Sequence, residues 1–136
     1  MTLIVCVSEG GGMIYNNRRL SRDRVLLENL AEIVADGTLF ISDFSAPLFA
    51  NSVISTIAVS DPLFSAGEID FAFIEDRAVS EYKDKIHKLV IYRWNREYPF
   101  DMAFDFDPEK EGMSLDESVD FAGYSHERIT REVWRR

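Results

Sequence analysis

Hydrophobic and polar positions change period several times along the chain, and each change predicts an element. Leu3–Val7 is a nearly continuous apolar run, as expected of a strand buried on both faces. From Arg24 to Val34 the period becomes helical: Leu26, Leu30 and Ile33 fall on one stripe, widened by Leu27 and Val34. Ser21 can cap this helix, Asp23 sits in its first turn against the positive dipole end, and Gly37 closes it as a C′ residue. Thr38–Ser42 predicts a second strand, and Ser45-Ala-Pro47 the start of a short helical turn. Val53–Val59, rich in β-branched residues, predicts a third strand ended by Asp61-Pro62; Ile69–Ile74 predicts a fourth. Val79–His87 reads as a helix with Val79, Tyr82 and Ile86 on one face, followed at once by a fifth strand, Lys88–Trp94. Tyr98-Pro99 turns the chain into an acidic, aromatic segment, Asp101–Asp107. The close predicts an antiparallel pair, Ser114–Phe121 and Arg128–Trp134, around Gly123; Ser125-His-Glu-Arg can equally cap a terminal helix.

Strands alternating with helices, then a strand-rich C-terminus, predict an α/β domain with a mixed, mainly parallel sheet and an antiparallel C-terminal edge. At 136 residues, 46% apolar and 29% charged, the chain fits a single domain spanning residues 1–136. No apolar run approaches the roughly 18 residues of a membrane span, and the N-terminus lacks the basic region of a signal peptide, so a cytoplasmic location is expected. The single cysteine, Cys6, lies in a hydrophobic strand and reads as a buried inert thiol. A net charge of -9 argues against nucleic-acid or anionic-membrane partners.

Against that acidic background, the stretch from Gly10 to Asp23 reverses the local charge. A glycine run, Gly10-Gly11-Gly12, leaves the first strand, and Arg18, Arg19, Arg22 and Arg24 crowd the entrance of the helix. Gly11 and Gly12 can let a ligand, a cofactor included, approach the backbone; a sharply turning loop accounts for them equally well. Single arginines are usually solvated, but cations at a helix N-terminus oppose its dipole, so several together are easier to understand if an anion joins them, either a ligand or the protein's own acids. Asp23 is a candidate proton relay or acceptor for a heterocycle's amino group; its plain role is to satisfy helix amides. Trp94, Asn95 and Arg96 offer an aromatic face, an amide and a guanidinium past a strand's C-terminal end, where open α/β sheets bind ligands; a packed turn in which Trp94 covers an edge accounts for them equally well. A flat, anionic or heterocyclic small molecule would then meet Asp23 at its polar edge, Trp94 or Tyr15 at its face, and Arg18 or Arg19 at its charge. His126, between Ser125 and Glu127, reads as a turn or capping residue, because neighbours on a strand cannot form a triad together. No metal site is expected.

The stretch Glu81 to Tyr92 resembles the last helix and following strand of dihydrofolate reductase. Asp101, Phe104 and Phe106 fall on that family's Gly-Asp-x-x-Phe-Pro segment, and Leu20-Ser-Arg-Asp23 is similar to its Leu-Pro-x-Asp. The resemblance implies a dihydrofolate reductase-like three-layer fold and a reductase of a pterin-like heterocycle using NADPH. It implies Asp23 as the pterin-contacting acid and Tyr92 near the threonine that supports it. The cofactor motifs depart from the family: Ser42-Asp43-Phe44-Ser45 replaces Gly-Arg-x-Thr, and Glu75-Asp76 replaces a glycine pair. Acids there repel a dinucleotide's phosphates, so a non-catalytic binding or regulatory protein that keeps the fold is the alternative. A second resemblance is to short bacterial proteins with Gly-Gly-Met, Trp-Asn-Arg-x-Tyr-Pro and Ser-His-Glu-x-Ile-Thr, some labelled ribonuclease Z. Two histidines, His87 and His126, cannot supply a multi-histidine di-zinc site.

Overall fold

A computed structural model describes residues 1–19 and 22–136. The apolar run at the start becomes β1 (Thr2–Val7), the centre of a seven-stranded sheet. After it come β2 (Gly12–Tyr15), β3 (Arg18–Arg19), α1 (Arg24–Val34), β4 (Thr38–Ile41), β5 (Ser55–Ala58), α2 (Pro62–Ser65) and β6 (Phe71–Phe73). The chain ends with β7 (Lys88–Arg93), β8 (Met102–Ala103), β9 (Ser114–Phe121) and β10 (Ile129–Arg135). The main sheet runs in the order β5-β4-β6-β1-β7-β10-β9. β5, β4, β6, β1 and β7 are mutually parallel, and β10 is antiparallel to both β7 and β9. The mixed sheet with an antiparallel C-terminal edge is as the sequence implies, and the second C-terminal arm is a strand.

Period-two alternation sends the apolar residues of the central strands to two cores. Ile4, Leu39, Phe73, Val90 and Tyr92 pack with Leu26, Leu30 and Val34 of α1. Leu3, Val5, Ala72, Leu89 and Ile91 pack on the other face with Leu63, Val79, Ile86 and Phe106. The result is three layers, with α1 on one side and short helices and loops on the other.

Several local expectations need correction. The Gly10–Asp23 stretch is not a plain loop: β2 and β3 form a hairpin, paired Ile14 with Arg19 and Tyr15 with Arg18. Asn16 (φ 51°) and Asn17 (φ 59°) supply its tight turn, the left-handed pair that two-residue hairpins require. β2 also pairs with β8, giving a second, three-stranded sheet. Ser21, expected as the helix cap, lies outside the described residues; Asp23 is the N-cap, its backbone extended at φ -143°. Gly37 does not close α1. Ala35 caps it at φ 50°, ψ -118°, and the Gly37 N–H donates to the Val34 carbonyl at 2.9 Å. Gly37 is small because Phe71 lies against it: a Cβ there would stand 2.7 Å from that ring. The expected helix over Val79–His87 is a kinked pair of 3₁₀ turns, Ser80–Lys85, with no buried residue inside it. Val79 and Ile86, which suggested a helical face, are buried at its two flanks instead.

Candidate functional site

Asp23 caps α1 and also ties it to the loop before β10. Its Oδ1 accepts from the Val25 N–H (2.9 Å), the Leu26 N–H (3.1 Å) and the Tyr124 N–H (2.9 Å). Its Oδ2 accepts from the Ser125 N–H (2.9 Å), the Ser125 hydroxyl (3.3 Å) and His126 Nδ1 (2.9 Å). The carboxylate is fully enclosed. Burial alone would raise its pKa; the Tyr124 N–H, the His126 ring and the Ser125 and Leu26 N–H groups outweigh it and hold the carboxyl well below the usual range. Gly123 makes the clasp feasible, since a Cβ there would fall 2.6 Å from Asp23 Oδ2. Behind the clasp, His126 Nε2 lies 3.0 Å from the Tyr98 hydroxyl, and Trp94 stacks on the imidazole at 4.3 Å.

A second polar knot stands nearby. Glu75 follows β6 and is buried. It receives Arg19 through Nε at 3.1 Å and Nη2 at 3.0 Å, and the Ser45 hydroxyl at 2.7 Å. The Arg19 guanidinium also donates to the Phe44 carbonyl (2.9 Å) and lies over the Phe44 ring. One of the clustered arginines thus finds its anion inside the protein. Next to Glu75, the Ser42 hydroxyl donates to Asp76 at 3.3 Å.

Between these knots is a small cavity lined by Cys6, Met13, Leu26, Phe73 and Trp94 together with Arg19, Arg22, Asp23 and Glu75. Burial, and then the Glu75 charge, push the Cys6 thiol up, so it stays protonated at neutral pH. Arg22 lines both this cavity and a wider cleft between α1 and residues 47–53, which Arg24 and Tyr124 also border. The Arg22 guanidinium has no hydrogen-bond partner among the described residues. Arg24 lies over the Tyr124 ring at 4.4 Å.

Of the residues singled out from sequence, Asp23, Arg19 and Trp94 meet at the cavity. Tyr15 and Arg18 pair with each other on the exposed hairpin, outside its lining. Gly11 takes φ 85°, a turn requirement, while Gly12 is approached by the protein itself: a Cβ there would sit 2.4 Å from Phe100. Tyr92 is buried in the core, and its hydroxyl donates to Asn29 Oδ1 at 2.7 Å, not to Asp23. Asn95, at φ 58°, donates to Thr130 Oγ1 and the Arg128 carbonyl, which fixes the β7 turn to β10. Arg96 is exposed and lies over the Tyr98 ring. Sequence reasoning missed Glu75 as a partner of Arg19, and it missed His126. Neighbours alternate faces only on a strand, and residues 123–126 form a turn closed by the Gly123 N–H on the His126 carbonyl. The signal was there in Gly123, at the expected bend.

No protein-family profile matches the chain, and no curated protein matches it. Solved structures do. One is dihydrofolate reductase from Enterococcus faecalis complexed with NADP(H) and RAB-propyl: the TM-score is 0.70 at 14% identity, over 99% of this chain and 95% of that one. The fold is dihydrofolate reductase-like. At that identity the likeness is one of fold alone. Nothing in these comparisons supports the ribonuclease Z resemblance, and among the described residues no group of three His, Cys, Asp or Glu is placed to hold a metal ion. Among the same residues no helix is long and apolar enough to cross a membrane.

The dihydrofolate reductase-like fold invites a test of fit for a nicotinamide dinucleotide. Where the resemblance puts a glycine pair, Glu75 and Asp76 stand, and the Glu75 carboxylate is locked to Arg19 and Ser45. Where it puts Gly-Arg-x-Thr, Asp43 is exposed and Ser42 and Ser45 bond to the acids. These residues do not fit a dinucleotide's phosphates held in the family's manner.

Proposed function

We propose that this chain is a non-catalytic small-molecule-binding protein that keeps the dihydrofolate reductase-like fold without its nicotinamide chemistry. The Arg19–Glu75 pair carries this reading: a buried carboxylate and its guanidinium fill the cavity floor where a hydride donor would need open, neutral backbone. Asp23 supports it, since all its lone pairs are taken by protein donors and its proton affinity is low. The ligand is a flat, apolar molecule bearing an anionic group. Its apolar part lies in the wider cleft against Leu27, Ala31 and Leu48, and its charge meets Arg22, which joins that cleft to the small cavity. Trp94 lines the small cavity that shares Arg22, Leu27 and Leu48 with this cleft, so its fluorescence reports on binding. Titration with aromatic carboxylates and pterins is expected to change that emission, and Arg22→Ala to weaken binding of the carboxylates by about tenfold, the worth of one charge-assisted hydrogen bond.

A reductase using NADPH is the second reading, favoured by the NADP(H)-complexed structure that shares the fold over nearly the whole chain. Titration with NADPH, followed by nicotinamide fluorescence, separates the two. No binding at high micromolar cofactor supports the first; saturable binding, with turnover of a pterin, overturns it.

A further inference from the structure

From Asp23 at the cavity wall outward, three side chains from three segments form a line to which the binding reading gives no chemical role. The Tyr98 hydroxyl stands 3.0 Å from His126 Nε2, and His126 Nδ1 stands 2.9 Å from Asp23 Oδ2. Tyr98 follows β7, His126 lies in the turn before β10, and Asp23 caps α1. We propose that Tyr98 is an activated hydroxyl able to take up an acyl group, with His126 as its general base and Asp23 as the residue that orients the imidazole.

The tautomer follows from the surroundings. Asp23 is held as the carboxylate, so it can only accept, and Nδ1 must carry the ring proton toward it. Nε2 is then left with its lone pair aimed at the phenol, which donates. This is the hydroxyl–imidazole–carboxylate order that activates a nucleophile, identified by geometry and not by chain order. The imidazole is held firmly: its side chain is 3% exposed, Trp94 stacks on one face, and the Tyr98 ring meets it edge-on at 6.4 Å. Tyr98 itself is only half-buried. The exposed Arg96 guanidinium stands over the Tyr98 ring at 5.8 Å.

The co-reactant is an activated acyl donor, such as a reactive ester or an acyl imidazole. The Tyr98 O–H proton passes to His126 Nε2 as Oη attacks the carbonyl carbon, and the carbonyl π pair moves onto its oxygen. Collapse breaks the bond to the leaving group, which departs with that electron pair and takes the proton from His126. The products are an O-acyl tyrosine and the protonated leaving group; nothing is oxidised or reduced.

N-acetylimidazole tests this on the intact protein, with acetylation mapped by peptide mass spectrometry over time. Tyr15 and Tyr124, which are 48% and 68% exposed, serve as internal standards of simple accessibility. Tyr98 is expected to acetylate faster than both, by about tenfold or more, given that a positioned base contributes about 10²–10⁴-fold. In His126→Gln the Tyr98 rate should fall to that of the standards while theirs are unchanged. If Tyr98 in the unaltered protein reacts no faster than Tyr15 and Tyr124, the proposal is overturned and the line of hydrogen bonds only holds the turn in place. That comparison needs no variant, so it decides the matter even if His126→Gln fails to fold.

Discussion

Asp23 Oδ2 and His126 Nδ1 lie 2.9 Å apart across 103 residues of sequence, and this contact joins the entrance of α1 to the turn before the last strand. The same carboxylate caps the helix through Val25 and Leu26, so one side chain performs a local and a long-range task. Asp23→Asn places an amide NH₂ where N–H and O–H donors already converge. A capping residue alone is worth about 0.5–2 kcal/mol, and hydrogen bonds to a charged group about 1.5–3. We expect a loss of about 2–4 kcal/mol in urea unfolding. A variant as stable as the parent would mean that the clasp contributes little and that Asp23 is free to serve a ligand.

Acid should act through the same group. A carboxyl whose folded pKa is depressed contributes stability that is complete above its unfolded pKa, about 3.9, and is lost as pH falls below it toward the folded value. Asp23 is such a group. Asp105 is another: burial opposes the shift, but the Val79 and Ser80 N–H groups, with the Ser80 side chain, prevail. Urea midpoints should therefore be flat from pH 7 to about 5 and fall steeply below about 4. Asp23→Asn should show a shallower fall, because one of the two groups no longer titrates.

Gly123 has no conformational need for glycine; its need is room. A methyl group at 2.6 Å from Asp23 Oδ2 and 2.8 Å from Ile129 Cδ1 would force the turn away from the carboxylate. Gly123→Ala is expected to cost about 1–3 kcal/mol, as overpacking typically does. It should also slow Tyr98 acetylation, since the imidazole loses its orienting partner. A thermal midpoint unchanged within about a degree would show that the turn yields easily.

The central strands β1, β4, β6 and β7 were legible because each is a short apolar run bounded by polar or turn residues, whereas β9 is polar and exposed along nearly its whole length. The extent of helix α1, Arg24–Val34, was legible from the spacing of Leu26, Leu30 and Ile33, although the fully buried stripe is Leu26, Leu30 and Val34. The Asn16-Asn17 hairpin was not read, because the arginines beyond it drew the stretch into a ligand loop while the asparagines carry the turn. The 3₁₀ turns over Ser80–Lys85 mimic helical spacing at Val79, Tyr82 and Ile86 without a buried face between them. At the site, Asp23, Trp94 and the arginine cluster were visible as polar or aromatic residues at element ends. Glu75 and His126 were not, since their partners are 56 and 103 residues away and no local pattern records such a pairing.

Ala35 offers a stability test independent of the site. At φ 50° and ψ -118° it occupies the first central position of a II′-type turn closed by the Gly37 N–H on the Val34 carbonyl. A Cβ is strained there and glycine is at ease, and the position is exposed. Ala35→Gly is expected to raise stability by about 1 kcal/mol, despite the larger chain entropy of glycine in the unfolded state. A decrease would mean that the turn relaxes to a conformation alanine prefers.

The Arg19–Glu75 pair is where stability and function come together. Arg19 is 18% exposed and Glu75 6%, so neither charge can recover full hydration if its partner is removed. Breaking one side of a buried pair costs about 3–5 kcal/mol, whereas replacing both with apolar groups is often neutral. Arg19→Met should therefore cost about 2–4 kcal/mol, somewhat less than the buried limit because the guanidinium is partly wet and stacks on Phe44. Arg19→Met with Glu75→Leu should recover most of that loss, and the double-mutant cycle should return a coupling of about 3 kcal/mol or more, at the top of the usual range. The pair also bears on the cofactor. If its charge is what keeps a dinucleotide out, Glu75→Gly with Asp76→Gly should bring NADPH binding into the micromolar range by nicotinamide fluorescence, at a cost in stability from the unpaired Arg19. If the glycine variant remains blind to NADPH while still folded, exclusion rests elsewhere: on exposed Asp43, or on Phe100, which closes over Gly12.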